Sequence, residues 1–318
     1  MRSEPARPPR RILAALVLPL LAVVAGCGTA DADPAGGAAA GPTGGPSFPV
    51  TVTAANGQVT LEAVPQKIVS LSPTSTEILF AVGAGSQVVA VDDQSSHPAE
   101  APRTKLSGFQ PNAEAVAGYD PDLVVLANDT NGIVKALDTL GVPTLLLPAP
   151  SALAGSFEQI TTIGTATGHR SQATDLVRRT TQRIDVAVAS VPAGVKGMKI
   201  YHELDTNYYS PTSATFVGSL YTRFGLENIA DRAPDAAGGY PRLSAEYVVD
   251  AAPDIIVLSD ATSGGQTPAK VAERPAFDTV PAVREGRVIP VDEDIASRWG
   301  PRTADYAEAF ARALAEVG

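Results

Sequence analysis

The chain has 318 residues, 44% hydrophobic and 18% charged, with 28 Gly and 27 Pro, which excludes wholesale disorder and collagen-like repeats and leaves room for two lobes of ordinary domain size. Formal charge is −10. Without residues 1–26, which hold Arg2, Arg7, Arg10 and Arg11 against Glu4 alone, 20 basic side chains face 33 acidic ones, and a field of that sign excludes nucleic acid as a partner.

Those arginines lead into an uncharged run over residues 12–25. It is too short for the ~20 apolar residues of a membrane-crossing helix and suits the core of an export signal, so residues 1–26 are read as an address. Val24-Ala25-Gly26 precedes Cys27, the only cysteine. This junction resembles the lipobox of bacterial lipoproteins, with Val24 where the lipobox prefers Leu, and the resemblance implies cleavage before Cys27 and its lipidation. Several acyl chains on one residue give stable anchoring. A lone cysteine also leaves no disulfide framework and no Cys-based metal site. Residues 27–49, rich in Gly, Ala, Pro and Thr, bury too little apolar surface to offset their ordering entropy and read as a flexible tether.

From residue 50 onward, short apolar runs alternate with helical patterns: 67–71, 88–91, 123–126 and 144–147, then 199–204, 255–258 and 288–291. Uniformly apolar strands separated by helices predict an α/β fold with mostly parallel sheets covered on both faces. Between the fourth and fifth strands, Ala173, Leu176, Val177, Thr180, Ile184, Ala187 and Val188 recur at helical spacing, predicting one long rigid helix between two lobes. The expected division is a first lobe over 50–155, a connecting helical segment over 156–192 and a second lobe over 193–318.

A diverged repeat supports two related lobes. Ala113-Glu114-x-Val116 followed by Pro121-Asp122-Leu123-Val124-Val125-Leu126 recurs, 132 residues on, as Ala245-Glu246-x-Val248 and Pro253-Asp254-Ile255-Ile256-Val257-Leu258. Ser72-Pro73-Thr74-Ser75 returns as Ser210-Pro211-Thr212-Ser213 at an offset of 138, each time after a strand and before a helix, so both are expected to put hydroxyls and free backbone N–H groups at a helix start.

Ligands of parallel sheets bind beyond the strands' carboxyl ends, so two such edges predict a ligand cleft between the lobes. The candidates lining it are Ser72, Thr74, Ser75, His97, Phe109, Asn128, Tyr208, Tyr209, Tyr240, Arg242, Arg298 and Trp299. Asp92, Asp129 and Asp260 also follow strands, and the Ser, Thr and Asp positions serve ordinary turn and capping chemistry as well. Exposed rings in so aromatic-poor a chain are expected to be contact surface. Glu114 and Glu246 begin helices at matched positions of the two lobes, at the carboxyl-edge rim or opposite it. A first-turn acid contributes only ~0.3–1 kcal/mol through the helix dipole; a matched pair suits docking on a two-fold symmetric basic partner.

Lys67-Ile68-Val69-Ser70-Leu71-Ser72-Pro73-Thr74-Ser75-Thr76-Glu77-Ile78-Leu79, Leu106-Ser107-Gly108-Phe109-x-Pro111-Asn112-Ala113-Glu114 and Tyr119-Asp120-Pro121-Asp122-Leu123 resemble the substrate-binding lipoproteins of ABC importers for iron–siderophores, haem and cobalamin, over about residues 66–318. The resemblance implies two lobes on a single long helix, a monomer tethered to the outer face of the cell membrane, and cargo held between the lobes. It also implies Glu114 and Glu246 pairing with arginines of a dimeric permease served by ATPase subunits. Ser297-Arg298-Trp299-Gly300-Pro301-Arg302 resembles the family's entry into its last helix.

The cargo is expected to be a metal chelate. A corrinoid is favoured over a ferric siderophore, because an acidic chain with few cleft cations disfavours a polyanion; haem comes third, with His97, His202, Tyr208, Tyr209 and Tyr240 as the candidates for iron. No cofactor beyond cargo and no bare-metal site is expected: His97, His169 and His202 form no closely spaced pair. An exported enzyme is disfavoured by the lack of Gly-x-Ser-x-Gly, His-Glu-x-x-His and Walker patterns. A ligand sensor would need the same cleft.

Overall fold

The computed structural model describes residues 47–317 except 235–236. The export signal, Cys27 and nearly all of the 27–49 tether lie outside them. A hairpin comes first, β1 (Val50–Ala54) and β2 (Gly57–Leu61), paired antiparallel. In the first lobe β3 (Ile68–Leu71), α1 (Pro73–Ala81), β4 (Val88–Asp92), β5 (Arg103–Leu106), α2 (Ala113–Ala117), β6 (Leu123–Leu126), α3 (Ile133–Thr139) and β7 (Thr144–Leu146) follow. They build a parallel sheet in the order β5-β4-β3-β6-β7. Two helices then connect the lobes, α4 (Leu153–Ala166) and α5 (Arg170–Ala189).

The second lobe holds β8 (Lys199–Glu203), α6 (Phe216–Arg223), β9 (Glu227–Asn228), α7 (Ala245–Ala251), β10 (Ile255–Leu258), α8 (Pro268–Ala272), α9 (Pro281–Arg284), β11 (Val288–Pro290), α10 (Glu293–Ala296) and α11 (Thr303–Val317). Its parallel sheet runs β11-β10-β8-β9.

The 132-residue repeat is structural. Ile68 pairs with Leu123 in the first sheet, and their counterparts Ile200 and Ile255 pair in the second. The carboxylate of Asp122 accepts the Lys67 amide at 2.9 Å, and that of Asp254 accepts the Lys199 amide at 2.9 Å. Each Pro-Asp thus ties the start of its own strand to the start of the lobe's first strand. All four residues of β3, β6 and β10 are buried, which is why β6 and β10 read as unbroken apolar runs and β3 carries one polar residue, Ser70. The described residues of the second sheet stop at β9, so β5 has no counterpart there.

The connecting stretch contains two helices, with the long apolar-striped one as α5. Its first half gives Ala173 and Leu176 to the first lobe's core and its second half gives Ile184 and Ala187 to that of the second lobe. At 1.5 Å per residue its 20 residues span ~30 Å. Phe157 of α4 packs against both cores, and α11 lies along α5, where Arg183 meets Asp305 and Glu308 at 2.6 and 2.7 Å. These ion pairs are exposed and worth ~0–1 kcal/mol each; the shared apolar packing carries the connection. Among the described residues no helix is long and apolar enough to cross a membrane.

Candidate functional site

The carboxyl edge of the first sheet is built largely from satisfied hydroxyls. Ser72 caps α1 by accepting the Ser75 amide at 3.3 Å, and Ser72, Thr74 and Ser75 are all buried. The Thr76 hydroxyl bonds to those of Ser70 and Ser95, each at 2.9 Å, fastening the end of β3 to the loop after β4. His97 is exposed on that loop. Asp92 is buried against Gly108, where a Cβ would lie 2.6 Å from Asp92 Oδ2 and 2.7 Å from the Leu71 carbonyl oxygen, so only glycine fits. Burial pushes the Asp92 carboxyl up. Phe109, 71% exposed, projects from the next residue. Asn128 steadies its loop by donating to the Gly108 carbonyl at 3.1 Å, while its own oxygen accepts the Thr130 hydroxyl at 2.6 Å.

The second edge differs. The loop after β8 is six residues longer, which accounts for the shift from an offset of 132 to one of 138. As a result Ser210-Pro211-Thr212-Ser213 does not start a helix: Thr215 caps α6, and the hydroxyls of Ser210 and Thr212 are buried without a partner. The expectation that both Ser-Pro-Thr-Ser segments stand at helix starts therefore holds for the first alone.

Within the longer loop Tyr208 takes a positive φ of 66° and its ring turns inward, 6.4 Å from the Phe277 ring. It is partly buried, against the expectation of an exposed ring. Tyr209 (39% exposed) and Tyr240 (41%) are the rings this edge displays. Tyr209 bridges to exposed Arg242, whose Nε donates to the Asn207 carbonyl at 3.2 Å.

Behind these tyrosines lies a polar cluster of which sequence reasoning missed Arg274, a residue that follows no strand. Arg274 donates to both oxygens of fully buried Glu203, at 2.6 and 2.7 Å, and lies 5.6 Å from the centre of the Tyr208 ring. Asp260, 3% exposed at the end of β10, has neither carboxylate oxygen hydrogen-bonded. Burial and then the nearby Glu203 charge push it up to about 6. An acid raised on folding carries a penalty that is absent below pH ~4, grows towards pH 6 and is complete above it. Asp260→Asn is therefore expected to raise the melting temperature at pH 7.5 and to leave it unchanged at pH 4; equal shifts at both would refute the ionised carboxylate as the cause.

Between the edges runs the segment from α10 to α11. Arg298 is 9% exposed and donates to Asp294 at 2.8 Å and to the Gln94 carbonyl at 3.5 Å across the seam. The Trp299 indole donates to Gln159 Oε1 at 2.9 Å, and its carbonyl accepts the Ser156 hydroxyl. Arg302 grips the buried carboxylate of Glu77 in α1, with Nε at 3.0 Å and Nη2 at 2.5 Å. Beside Trp299 a partly open hollow of about 190 Å³ faces the seam, bordered by Ala149 of the first lobe and by Tyr240, Phe216, His202 and Ser259 of the second. His202 is buried and pushed down to about 3 by that burial, hence neutral, with both ring nitrogens engaged, by the Tyr221 hydroxyl at 2.6 Å and by Ser259. Larger hollows of about 700 and 790 Å³ lie off the seam, beside Tyr247 of α7 and along the outside of α4.

Glu114 and Glu246 are both exposed, each the second residue of a helix capped by the side chain before it, Asn112 or Ser244. Helices antiparallel to the strands they precede start at the carboxyl-edge side, so both acids stand on the cleft's rim. No group of three or more metal-ligating side chains occurs among the described residues.

Residues 68–295 match the periplasmic binding protein family. The chain belongs to that family. Its two parallel sheets, long α5 and seam between carboxyl edges are this family's version of the α/β architecture. A cobalamin-binding protein of Halobacterium salinarum is 30% identical over 281 residues, 84% of this chain and 74% of that protein. An uncharacterised ABC transporter substrate-binding lipoprotein of Bacillus subtilis, YvrC, is 30% identical over 280 residues, covering 84% and 86%. The crystal structure of the periplasmic vitamin B12 binding protein BtuF of Vibrio cholerae superposes with a TM-score of 0.66 at 22% identity, over 80% of this chain and 98% of that one.

Proposed function

We propose that this periplasmic binding protein is the lipid-anchored, extracytoplasmic receptor of an ABC importer and that its cargo is a corrinoid. The observation that carries the cargo assignment is the chemistry of the seam. Its displayed groups are the rings of Phe109, Tyr209 and Tyr240 with one cation, Arg242, beside Tyr209 and with Trp299 between the lobes, while Arg298 is committed to Asp294 and Gln94. Asp93, Asp129, Asp205, Asp292 and Glu293 stand along the same edges. Such a field repels the propionates of haem and the carboxylates of many siderophores, and it accepts a large neutral or cationic chelate with broad apolar faces. His202, with both nitrogens engaged, is not free to ligate haem iron. Tyr209 and Tyr240 remain exposed, so haem is the reading to exclude. The 30% identity to a cobalamin-binding protein points the same way.

Fluorescence of the single tryptophan tests the assignment. Cobalamin is expected to quench it saturably at submicromolar concentration, with haem and ferric siderophores binding at least ~100-fold more weakly, a difference of ~3 kcal/mol. Tight saturation by haem alone would overturn the corrinoid reading. The anchor rests on Cys27 and its apolar leader; Cys27→Ala is expected to move the protein from the membrane fraction to the soluble one or to leave it unprocessed, and unchanged membrane recovery would refute lipidation there.

A further inference from the structure

We infer that the chamber beside Trp299 is a subsite for a flat, nitrogen-bearing aromatic group of the cargo: on the corrinoid reading, on which this rests, the nucleotide base that a complete corrinoid carries below its ring. The chamber's volume is about 190 Å³, many times the ~10–15 Å³ of probe space that one water needs. That accommodates a fused bicyclic base, with the corrin ring in the seam outside. Trp299, Tyr240, Phe216 and Val217 supply apolar and aromatic walls, and Ala149 of the first lobe stands at the border. Walls of that kind suit the face of an aromatic ring.

The lining is polar at Glu293 and Ser297 and at one buried pair, Ser259 and His202. Ser259 and His202 line the chamber there, bonded to each other, and the other nitrogen of His202 is fixed by the Tyr221 hydroxyl, itself bonded to that of Tyr306 at 2.5 Å. A hydroxyl offers one donor and two acceptor sites. With one of these used by His202, Ser259 can still meet a ring nitrogen, donating or accepting according to the imidazole tautomer. The relay through Tyr221 and Tyr306 holds the imidazole in place, so Ser259 is presented by a rigid support.

The test compares cobalamin with cobinamide, which has the corrin ring but no base, by tryptophan quenching of the purified protein. Cobinamide is expected to bind at least ~10-fold more weakly. Ala149→Phe, at an exposed loop position after β7, is expected to lower cobalamin affinity to that of cobinamide while leaving cobinamide unchanged. Ser259→Ala is expected to weaken cobalamin about 3- to 10-fold and to leave unaffected a corrinoid whose lower group is a phenol without ring nitrogen. Equal, tight binding of cobalamin and cobinamide by the unaltered protein would overturn the subsite and leave the corrinoid reading standing, as would an Ala149→Phe effect equal on both. Failure of both corrinoids to bind would overturn the cargo reading itself.

Discussion

Exchanging Glu114 and Glu246 together for lysine is expected to abolish importer-dependent uptake in whole cells while leaving chelate affinity unchanged. Both acids are exposed on the second residue of a capped helix, at positions matched by the 132-residue repeat. Their contribution to folding is the ~0.3–1 kcal/mol of a first-turn acid at a helix N-terminus, so the double variant should remain folded. Against a basic two-fold partner the substitution replaces attraction by repulsion at two sites. Like charges juxtaposed in an interface cost several kcal/mol, and at ~1.4 kcal/mol per tenfold that is at least a hundredfold loss of docking. Each single reversal should fall between, and raised ionic strength should narrow the gap by screening the rim charges. Normal uptake by the double variant would remove the docking role.

The acids were legible because they lie inside a repeat, and the repeat was legible because it spans the segment where both lobes need the same thing: a capped helix, a Pro-Asp tie and a fully buried strand. Central strands could be read for the same reason, since burial on both faces favours apolar residues. Of the edge strands, apolar β7 and β11 could be read as well, but β5 and β9 could not. β5 reads Arg-Thr-Lys-Leu and β9 is Glu-Asn; an edge keeps charges and shortness as protection against stray pairing, and those features imitate a loop. The β1–β2 hairpin did carry a signal, Asn56-Gly57 at its turn between alternating residues, a strong hairpin pattern hidden by the tether composition just before it.

The candidate site divides along similar lines. Residues placed by strand ends, such as Phe109 and Tyr209, are found on the expected edges, because parallel topology alone puts them there. What each ring or hydroxyl does next depends on contacts that strand spacing does not encode. Tyr208 and Tyr209 are neighbours in sequence, yet a positive φ at Tyr208 sends one ring onto Phe277 and leaves the other in solvent. Ser72 and Ser210 sit in identical tetrapeptides, yet six added loop residues separate the second from its helix. Asp260 is a polar residue just after an apolar strand, and its raised pKa comes from burial first and then from the three-dimensional proximity of Glu203, neither of which strand spacing encodes.

Arg302→Ala is expected to lower the melting temperature by about 10 °C. Glu77 and Arg302 lie 225 residues apart and join α1 of the first lobe to the start of α11 in the second. The Glu77 side chain is 2% exposed and the Arg302 side chain 18%. Deleting the arginine leaves a carboxylate shut away from water with its bidentate partner gone, a change that costs ~3–5 kcal/mol, and at ~2–4 °C per kcal/mol for a folded unit of this size the shift follows. The charge and not the lost packing should dominate. Hence Glu77→Gln combined with Arg302→Met, which removes both charges and keeps the side-chain volumes, is expected to recover most of the loss. A double variant no better than Arg302→Ala would assign the effect to packing. Because Trp299 lies three residues before Arg302 and is itself bonded to Gln159 of α4, loosening this cross-link should also cost cargo affinity. The double variant, holding the segment by apolar contact, should regain affinity along with stability.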